Sequence, residues 1–124
     1  MTDIRVLVVM DEDEIRDQVV KRLLSGGLTA TGVKDSAGAL TLLTGAHFHV
    51  ILLGGRPPQA QSLYTLKQIK AGHPDTQVII LTEDTSVEFG ISAMKAGAFD
   101  FVVKPAPLSE LLDKIRQASS LPDD

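Results

Sequence analysis

The segment Val6-Leu7-Val8-Val9, which runs directly into Met10-Asp11-Glu12-Asp13, decides the fold of this chain. Its four consecutive apolar residues are mostly β-branched, and such a run is typical of a strand that is buried on both faces of a parallel sheet. Three further runs have the same character, at residues 50–53, 78–81 and 101–103. A weaker fifth candidate, at residues 29–33, suits the edge of the sheet.

Helical periodicity fills the stretches between these runs, because apolar residues recur there three or four positions apart. The stripes that mark five helices are Ile15, Val19 and Leu23; Leu40 and Leu43; Leu63, Leu66 and Ile69; Val87, Ile91 and Met94; and Leu108, Leu111, Leu112 and Ile115. Strands that alternate with helices predict a (βα)5 α/β fold, in which helices cover both faces of a parallel sheet.

Polar and glycine residues indicate where these helices begin and end. Two pairs have the spacing of N-terminal caps, and two glycine positions are typical of helix C-termini. The cap pairs are Asp11 with Glu14 and Thr85 with Glu88, and the glycine positions are Gly26-Gly27 and Gly97.

Composition narrows the classes of protein to which the chain can belong. Its 124 residues fit one domain, which we place at residues 1–118 with a tail or linker at 119–124. The net charge of −4 gives no basic surface for a nucleic-acid backbone. The absence of cysteine excludes disulfides and thiolate metal sites. No apolar run approaches the ~20 residues that span a bilayer, and no signal peptide precedes the first strand, so we expect a cytoplasmic protein.

In an open parallel sheet, the functional crevice lies at the carboxyl ends of the strands, near the point where the strand order reverses. The residues that follow the four strong strand candidates are therefore the candidate site residues. They are Met10 with Asp11, Gly54, Thr82 with Glu83, and Lys104.

These strand ends resemble those of the receiver domains of bacterial response regulators. The resemblance extends through Ala93-Met94-Lys95-Ala96-Gly97-Ala98-Phe99-Asp100-Phe101 and Lys104-Pro105, and it covers essentially the whole chain. It implies a flavodoxin-like strand order of 2-1-3-4-5. Receiver domains accept a phosphoryl group on an aspartate at the end of the third strand, where an acidic pair after the first strand helps to hold Mg²⁺. A hydroxyl residue and a lysine bind the phosphoryl oxygens, and an aromatic residue reports the state.

Some of these family roles have a matching residue in this sequence, and others do not. Asp11 matches the second acid, Thr82 the hydroxyl residue, Lys104 the lysine and Phe101 the aromatic residue. Three positions depart from the pattern, and they hold Met10 in place of the first acid, Gly54 in place of the phosphoacceptor, and Glu83 where a small residue is usual.

The departures have direct chemical consequences. Transfer of a phosphoryl group to a carboxylate needs that carboxylate as the nucleophile, and Gly54 has no side chain. Mg²⁺ prefers oxygen ligands in octahedral geometry, and only Asp11 and the main-chain carbonyl of Arg56 remain from the family's set. We therefore expect no cofactor, with Mg²⁺ bound weakly at best.

Several residues have simpler interpretations. Asp11 could serve only as a helix cap, and Phe101 could be ordinary packing. A further hypothesis is that Glu83 or Asp11 pairs with Lys104 and replaces the lost carboxylate. His47, His49 and His73 lie outside the cluster of strand ends. His47 and His49 lack an evident third ligand, so we do not expect them to form a metal site, and we interpret the histidines as structural.

The preferred interpretation is a degenerate receiver, a non-enzymatic module of a two-component phosphorelay pathway. It would bind a kinase, an output domain or a second copy of itself through the face from Ser86 to Ala118, and it would contact neither nucleic acid nor membrane. Two alternatives stay open. The domain could accept phosphate on another residue, such as Asp11 or Asp13. Alternatively, it could sense a small organic ligand in a crevice made less acidic by Met10 and Gly54.

Overall fold

The computed structural model of the chain describes residues 4–54, 60–83, 85–103 and 107–120. Five strands alternate with five helices along the chain. In order they are β1 (Arg5–Val9), α1 (Asp13–Ser25), β2 (Thr29–Val33), α2 (Ser36–Gly45), β3 (Val50–Gly54), α3 (Ala60–Gly72), β4 (Gln77–Thr82), α4 (Val87–Lys95), β5 (Asp100–Val103) and α5 (Leu108–Ser119). The predicted tail falls mostly on residues 121–124, which lie outside the described residues.

The five strands form one parallel sheet in the order β2-β1-β3-β4-β5. This confirms the predicted flavodoxin-like α/β fold. The central strands β1, β3 and β4 are almost entirely buried, whereas β2 lies at an edge and is partly exposed, as its weaker apolar pattern predicts. None of the helices in the described ranges is both long and apolar enough to cross a membrane.

The side chains of successive strand residues alternate between two apolar cores, one on each face of the sheet. Leu7 and Val9 of β1 point into the core that α2, α3 and α4 cover. Val6, Val8 and Met10 point into the other core, which α1 and α5 cover. Full burial of side chains of this size contributes roughly 1.5–3 kcal/mol each, so the two cores fix which helices lie on which face.

The helix C-termini agree with the sequence, but both predicted N-terminal caps are wrong. Gly27 and Gly97 have positive φ just after α1 and α4, as C-terminal glycines do. The N-cap of α1 is Glu12 rather than Asp11, and its side chain makes no capping hydrogen bond. The N-cap of α4 is Ser86 rather than Thr85, because the Ser86 hydroxyl accepts the backbone N–H of Phe89 at 3.1 Å.

The apolar stripe that marks α4 faces away from the sheet. Val87, Ile91 and Met94 are 72%, 50% and 47% exposed, whereas the buried residues of this helix are Phe89, Gly90 and Ala93. Such a stripe ordinarily covers a core. Here the small residues of the opposite side allow α4 to lie close to β5, so the larger apolar side chains are left on the surface.

Candidate functional site

The candidate site lies where β1 and β3 are neighbours in the sheet although β2 separates them in sequence. The strand order reverses at this point, which is where ligand crevices form in sheets of this kind. Met10 follows β1, Gly54 is the last residue of β3, and Thr82 is the last residue of β4. Pairing of these three strands brings the three residues to one edge.

Met10 fills the space that a side chain at position 54 would need. A Cβ atom built on Gly54 would lie 3.1 Å from Met10 Cγ and 3.3 Å from Met10 Cε, which is closer than ordinary van der Waals contact. Met10 is only 4% exposed and belongs to the core beneath α1 and α5. Met10 and Gly54, the two positions expected to hold acids, therefore form one packing unit, in which the flexible side chain of Met10 lies against Gly54.

The backbone of Met10 is held on both sides. Its N–H donates to the carbonyl of Val33 at 3.0 Å, and its carbonyl accepts the Arg16 guanidinium at 3.0 Å. Arg16 also pairs with Asp13 at 2.8 Å, although Asp13 is 79% exposed and this ion pair contributes little by itself. Sequence reasoning did not select Arg16. The i, i+3 spacing of Asp13 and Arg16 on the first turn of α1 was the available signal.

The polar residues of the site divide between the interior and the surface. Thr82 is fully buried, whereas Asp11 and Glu83 are exposed. Lys104 and Arg56 lie outside the described residues. The predicted pairing of Lys104 with Glu83 or Asp11 therefore stays a prediction.

The residues at this edge do not fit Mg²⁺. The ion prefers hard oxygen ligands, whereas Met10 offers a thioether, a soft ligand that suits other metals. Gly54 offers no side chain, which leaves the carboxylate of Asp11 from the expected acidic set. Across the described part of the chain, no group of three or more histidine, aspartate or glutamate residues is placed to hold a metal ion.

Phe101, the predicted aromatic residue, packs beneath α4. Its side chain is partly buried against the core that α4 covers. A Cβ atom built on Gly90 would lie 2.9 Å from Phe101 Cζ, so the ring occupies the space left by the missing side chain. Phe101 therefore packs as an ordinary core residue at this position. Its contact with Gly90 limits how closely α4 can approach β5.

The histidines lie apart from this site, at the opposite end of the strands. His49 Nδ1 accepts the backbone N–H of Arg5 at 3.0 Å, and its ring meets that of His47 edge-to-face with centroids 5.1 Å apart. His47 and His73 help to line an open cavity of about 340 Å³. These contacts support the structural role expected for His47 and His49.

A sequence model of the response regulator receiver domain matches residues 6–116 of the chain. The chain belongs to this family. It is 36% identical over 115 residues to the DNA-binding transcriptional regulator NtrC of Escherichia coli K12, and 32% identical over 117 residues to the regulatory protein AtoC of the same organism. These matches cover 93% and 94% of this chain but only 24% and 25% of the relatives, so the chain spans about a quarter of their length.

Solved receiver structures agree with this family membership. The beryllofluoride-activated NtrC4 receiver domain dimer superposes with a TM-score of 0.83 at 32% identity, covering 92% of this chain and 94% of that one. The receiver domain of NtrX from Brucella abortus superposes with a TM-score of 0.84 at 28% identity, covering 94% of this chain and 99% of that one. Receiver domains are the signalling modules of two-component response regulators, and they typically bind Mg²⁺ at their phosphorylation site.

The contact between Met10 and position 54 predicts a non-additive pair of substitutions. Met10→Ala should cost about 2–5 kcal/mol of unfolding free energy, because it leaves a cavity. Gly54→Val should cost about 1–3 kcal/mol in the native background, because the new side chain overpacks against Met10. It should cost less in the Met10→Ala background, with a coupling of about 0.5–3 kcal/mol. Urea unfolding of the four proteins measures this coupling.

Met94→Ala provides the matched control for that cycle, because Met94 is 47% exposed and lies on the outer side of α4. It should lower stability only slightly and show no coupling to Gly54→Val. Additive effects of Met10→Ala and Gly54→Val would contradict the packing described above.

The contact between Gly90 and Phe101 predicts that Gly90→Ala displaces the ring. The change in stability should stay within about 1 kcal/mol, because alanine is the better helix former and offsets lost packing. The chemical shifts of the Phe101 ring protons, and their nuclear Overhauser effects to α4, should change. Gly72→Ala is the control, since a Cβ atom there meets nothing within 4 Å. Unchanged Phe101 signals in Gly90→Ala would show that the ring does not occupy this space.

Proposed function

We propose that this domain is a cytoplasmic, non-enzymatic receiver that takes part in two-component signalling by binding other proteins, without the usual aspartyl phosphorylation. We further propose that it comprises residues 1–118, with a tail or linker after it. The observation that carries the proposal is that Gly54 has no side chain, and that a Cβ atom there would lie only 3.1 Å from Met10 Cγ.

The absence of phosphorylation follows from the chemistry of the site. A covalent acyl phosphate needs a carboxylate nucleophile, and the nucleophile must be positioned in line with the groups that bind the phosphoryl oxygens. Thr82 is buried at the end of β4, but the neighbouring strand ends in Gly54. With Met10 in the first acid position, one of the two carboxylates that would help to hold Mg²⁺ after β1 is missing as well.

The structure does not favour phosphorylation of another acid. Asp13 lies on the first turn of α1, points into solvent and pairs with Arg16. Asp11 is exposed, whereas the hydroxyl residue Thr82 is fully buried. Neither placement supports a nucleophile in line with Thr82.

The structure likewise does not favour a small-ligand sensor at this edge. Such a function requires a concave, apolar cavity beside Gly54, and the thioether of Met10 packs into that space.

The proposed binding face comprises α4, β5 and α5, residues 86–118. Lys114 of α5 pairs with Asp100 of β5 at 2.6 Å, and Asp100 also accepts the backbone N–H of Phe101. These contacts join β5 to α5, while Phe101 joins β5 to α4 at Gly90. The face is therefore held as one unit, and its exposed apolar residues on α4 supply the surface that a partner would cover.

We propose a kinase, an output domain or a second copy of the chain as the partner of this face. NtrC is named as a DNA-binding transcriptional regulator, and this chain corresponds to about a quarter of its length. The net charge of −4 gives this domain itself no basic surface for DNA. A homodimer has a parallel in the NtrC4 receiver, whose beryllofluoride-activated form is a dimer.

Incubation with acetyl phosphate and Mg²⁺, followed by intact mass measurement, tests the proposed function. The protein should gain no phosphoryl group, because the site has no carboxylate at position 54. The NtrC receiver of Escherichia coli, treated in parallel, serves as the reference protein for the assay. A stoichiometric phosphoryl adduct on this chain would contradict the proposal, and peptide mapping would then distinguish Asp11 from Asp13.

A further inference from the structure

Lys70 lies near the C-terminal end of α3, and its side chain folds back onto the main chain that leads into β4. Its Nζ atom donates hydrogen bonds to the carbonyl of Pro74 at 2.8 Å and to that of Thr76 at 2.9 Å. Its aliphatic stem lies against Gly97, because a Cβ atom built there would be 3.3 Å from Lys70 Cγ. The partly buried side chain therefore joins the connection before β4 to the turn after α4.

These two hydrogen bonds match the donor count of a neutral amine. A lysine ammonium carries three N–H donors, whereas a neutral amine has two and a lone pair. Within the described ranges, no protein group supplies a third acceptor to Lys70 Nζ. When two N–H groups point at the carbonyls of Pro74 and Thr76, the remaining tetrahedral position of the nitrogen points away from both. In the neutral amine, the lone pair occupies this outward position.

The surroundings of Lys70 also favour the neutral amine. Burial lowers the pKa of Lys70 below its ordinary value, because desolvation disfavours the charged ammonium, and the carboxylate of Asp75 offsets only part of this effect. Lys114 differs, since its ammonium pairs with the carboxylate of Asp100 at 2.6 Å. A desolvated lysine with a lowered pKa has a larger fraction of nucleophilic amine at neutral pH.

We propose that Lys70 is a site of covalent modification by an activated acetyl group, which an acetyl phosphate or an acetyl thioester can supply. The lone pair of Nζ attacks the acetyl carbonyl carbon and forms the new N–C bond. The bond from that carbon to the phosphate oxygen or to the thioester sulfur breaks, and phosphate or thiolate leaves with the electron pair. The nitrogen releases one proton to solvent, so the product is a neutral amide with one N–H.

The modification changes the contacts that Lys70 makes. The charge is lost, and the single N–H of the amide can donate to only one of the two carbonyls, of Pro74 or of Thr76. The connection between α3 and β4 is thereby held less firmly. This inference goes beyond the proposed function, because it involves neither position 54 nor the face made by residues 86–118.

Incubation of the whole chain with acetyl phosphate, and separately with acetyl coenzyme A, tests the proposal by peptide mapping over time. Lys70 should be acetylated severalfold faster than Lys67, an exposed lysine of the same helix. The reagent that labels Lys70 identifies the source of the acetyl group. In urea-unfolded protein the two lysines should react at similar rates, because the hydrogen bonds and the burial of Lys70 are lost. Lys70→Arg should remove the fastest adduct, whereas the matched variant Lys67→Arg should leave the labelling of Lys70 unchanged.

Substitution of Asp75 tests the electrostatic part of the argument. Asp75→Asn should speed the acetylation of Lys70, because it removes the carboxylate that favours the ammonium. Asp17→Asn removes the same charge from an exposed position on α1 and should leave the rate unchanged. Circular dichroism should show that each variant is folded.

Equal acetylation of Lys70 and Lys67 in the folded protein would overturn the proposal. Selectivity that persists in urea, or a Lys70 that neither reagent labels, would overturn it as well. Failure of the proposed function gives a different result, namely a phosphoryl adduct on a carboxylate. Hydroxylamine cleaves such an acyl phosphate and leaves the amide of acetyl-lysine intact, so the two outcomes are distinguished in the same sample.

Discussion

The contact between Met10 and the vacant side-chain position of Gly54 is the constraint on which this account depends. It exists because β1 and β3 are paired in the sheet, which brings the residue after β1 beside the last residue of β3. Arg16 and Val33 hold the backbone of Met10 in place. In a receiver this edge is where acids gather and Mg²⁺ binds. Here Met10 extends the apolar core to this edge, so the edge has apolar packing where acidic side chains were expected.

A parallel exchange occurs on the other face of the sheet. Gly90 leaves space for the ring of Phe101, and α4 consequently lies close to β5 with its larger apolar residues outside. In both places a glycine admits a large side chain from a neighbouring element. The first contact leaves little space for a side chain at position 54, and the second accompanies the exposed apolar residues of α4. The structure thus combines close packing beside Gly54 with exposed apolar side chains on α4.

Much of the fold could be predicted from the sequence, because buried parallel strands leave an unmistakable pattern of consecutive apolar residues. All five strands appear where the apolar runs predict them, and even β2 was placed at an edge by its weaker pattern. The strand order came from the resemblance to receivers rather than from the pattern itself. The caps were misplaced by one residue at Ser86 and Glu12, since neighbouring polar residues compete for such positions.

The site was predicted less completely. Periodicity shows that residues 87–95 form a helix, but it cannot show which side faces the sheet, and the small residues Gly90 and Ala93 decided this. The sequence showed that Met10 and Gly54 each lack a carboxylate. It could not show that one fills the place of the other, because that relation depends on the distance between two strands. The role of Arg16 also depends on a tertiary contact, with the main chain of Met10.

The central claim is that position 54 supplies no carboxylate for phosphorylation and that the side chain of Met10 packs into the space beside it. Labelling of restored variants by acetyl phosphate with Mg²⁺ tests it most directly. The account predicts little or no phosphoryl adduct on Gly54→Asp, because Met10 still occupies the site and supplies no ligand for the metal. It predicts a clear gain of adduct on the double variant Met10→Asp/Gly54→Asp, in which both acids return together. Labelling of Gly54→Asp as complete as that of the double variant would contradict it.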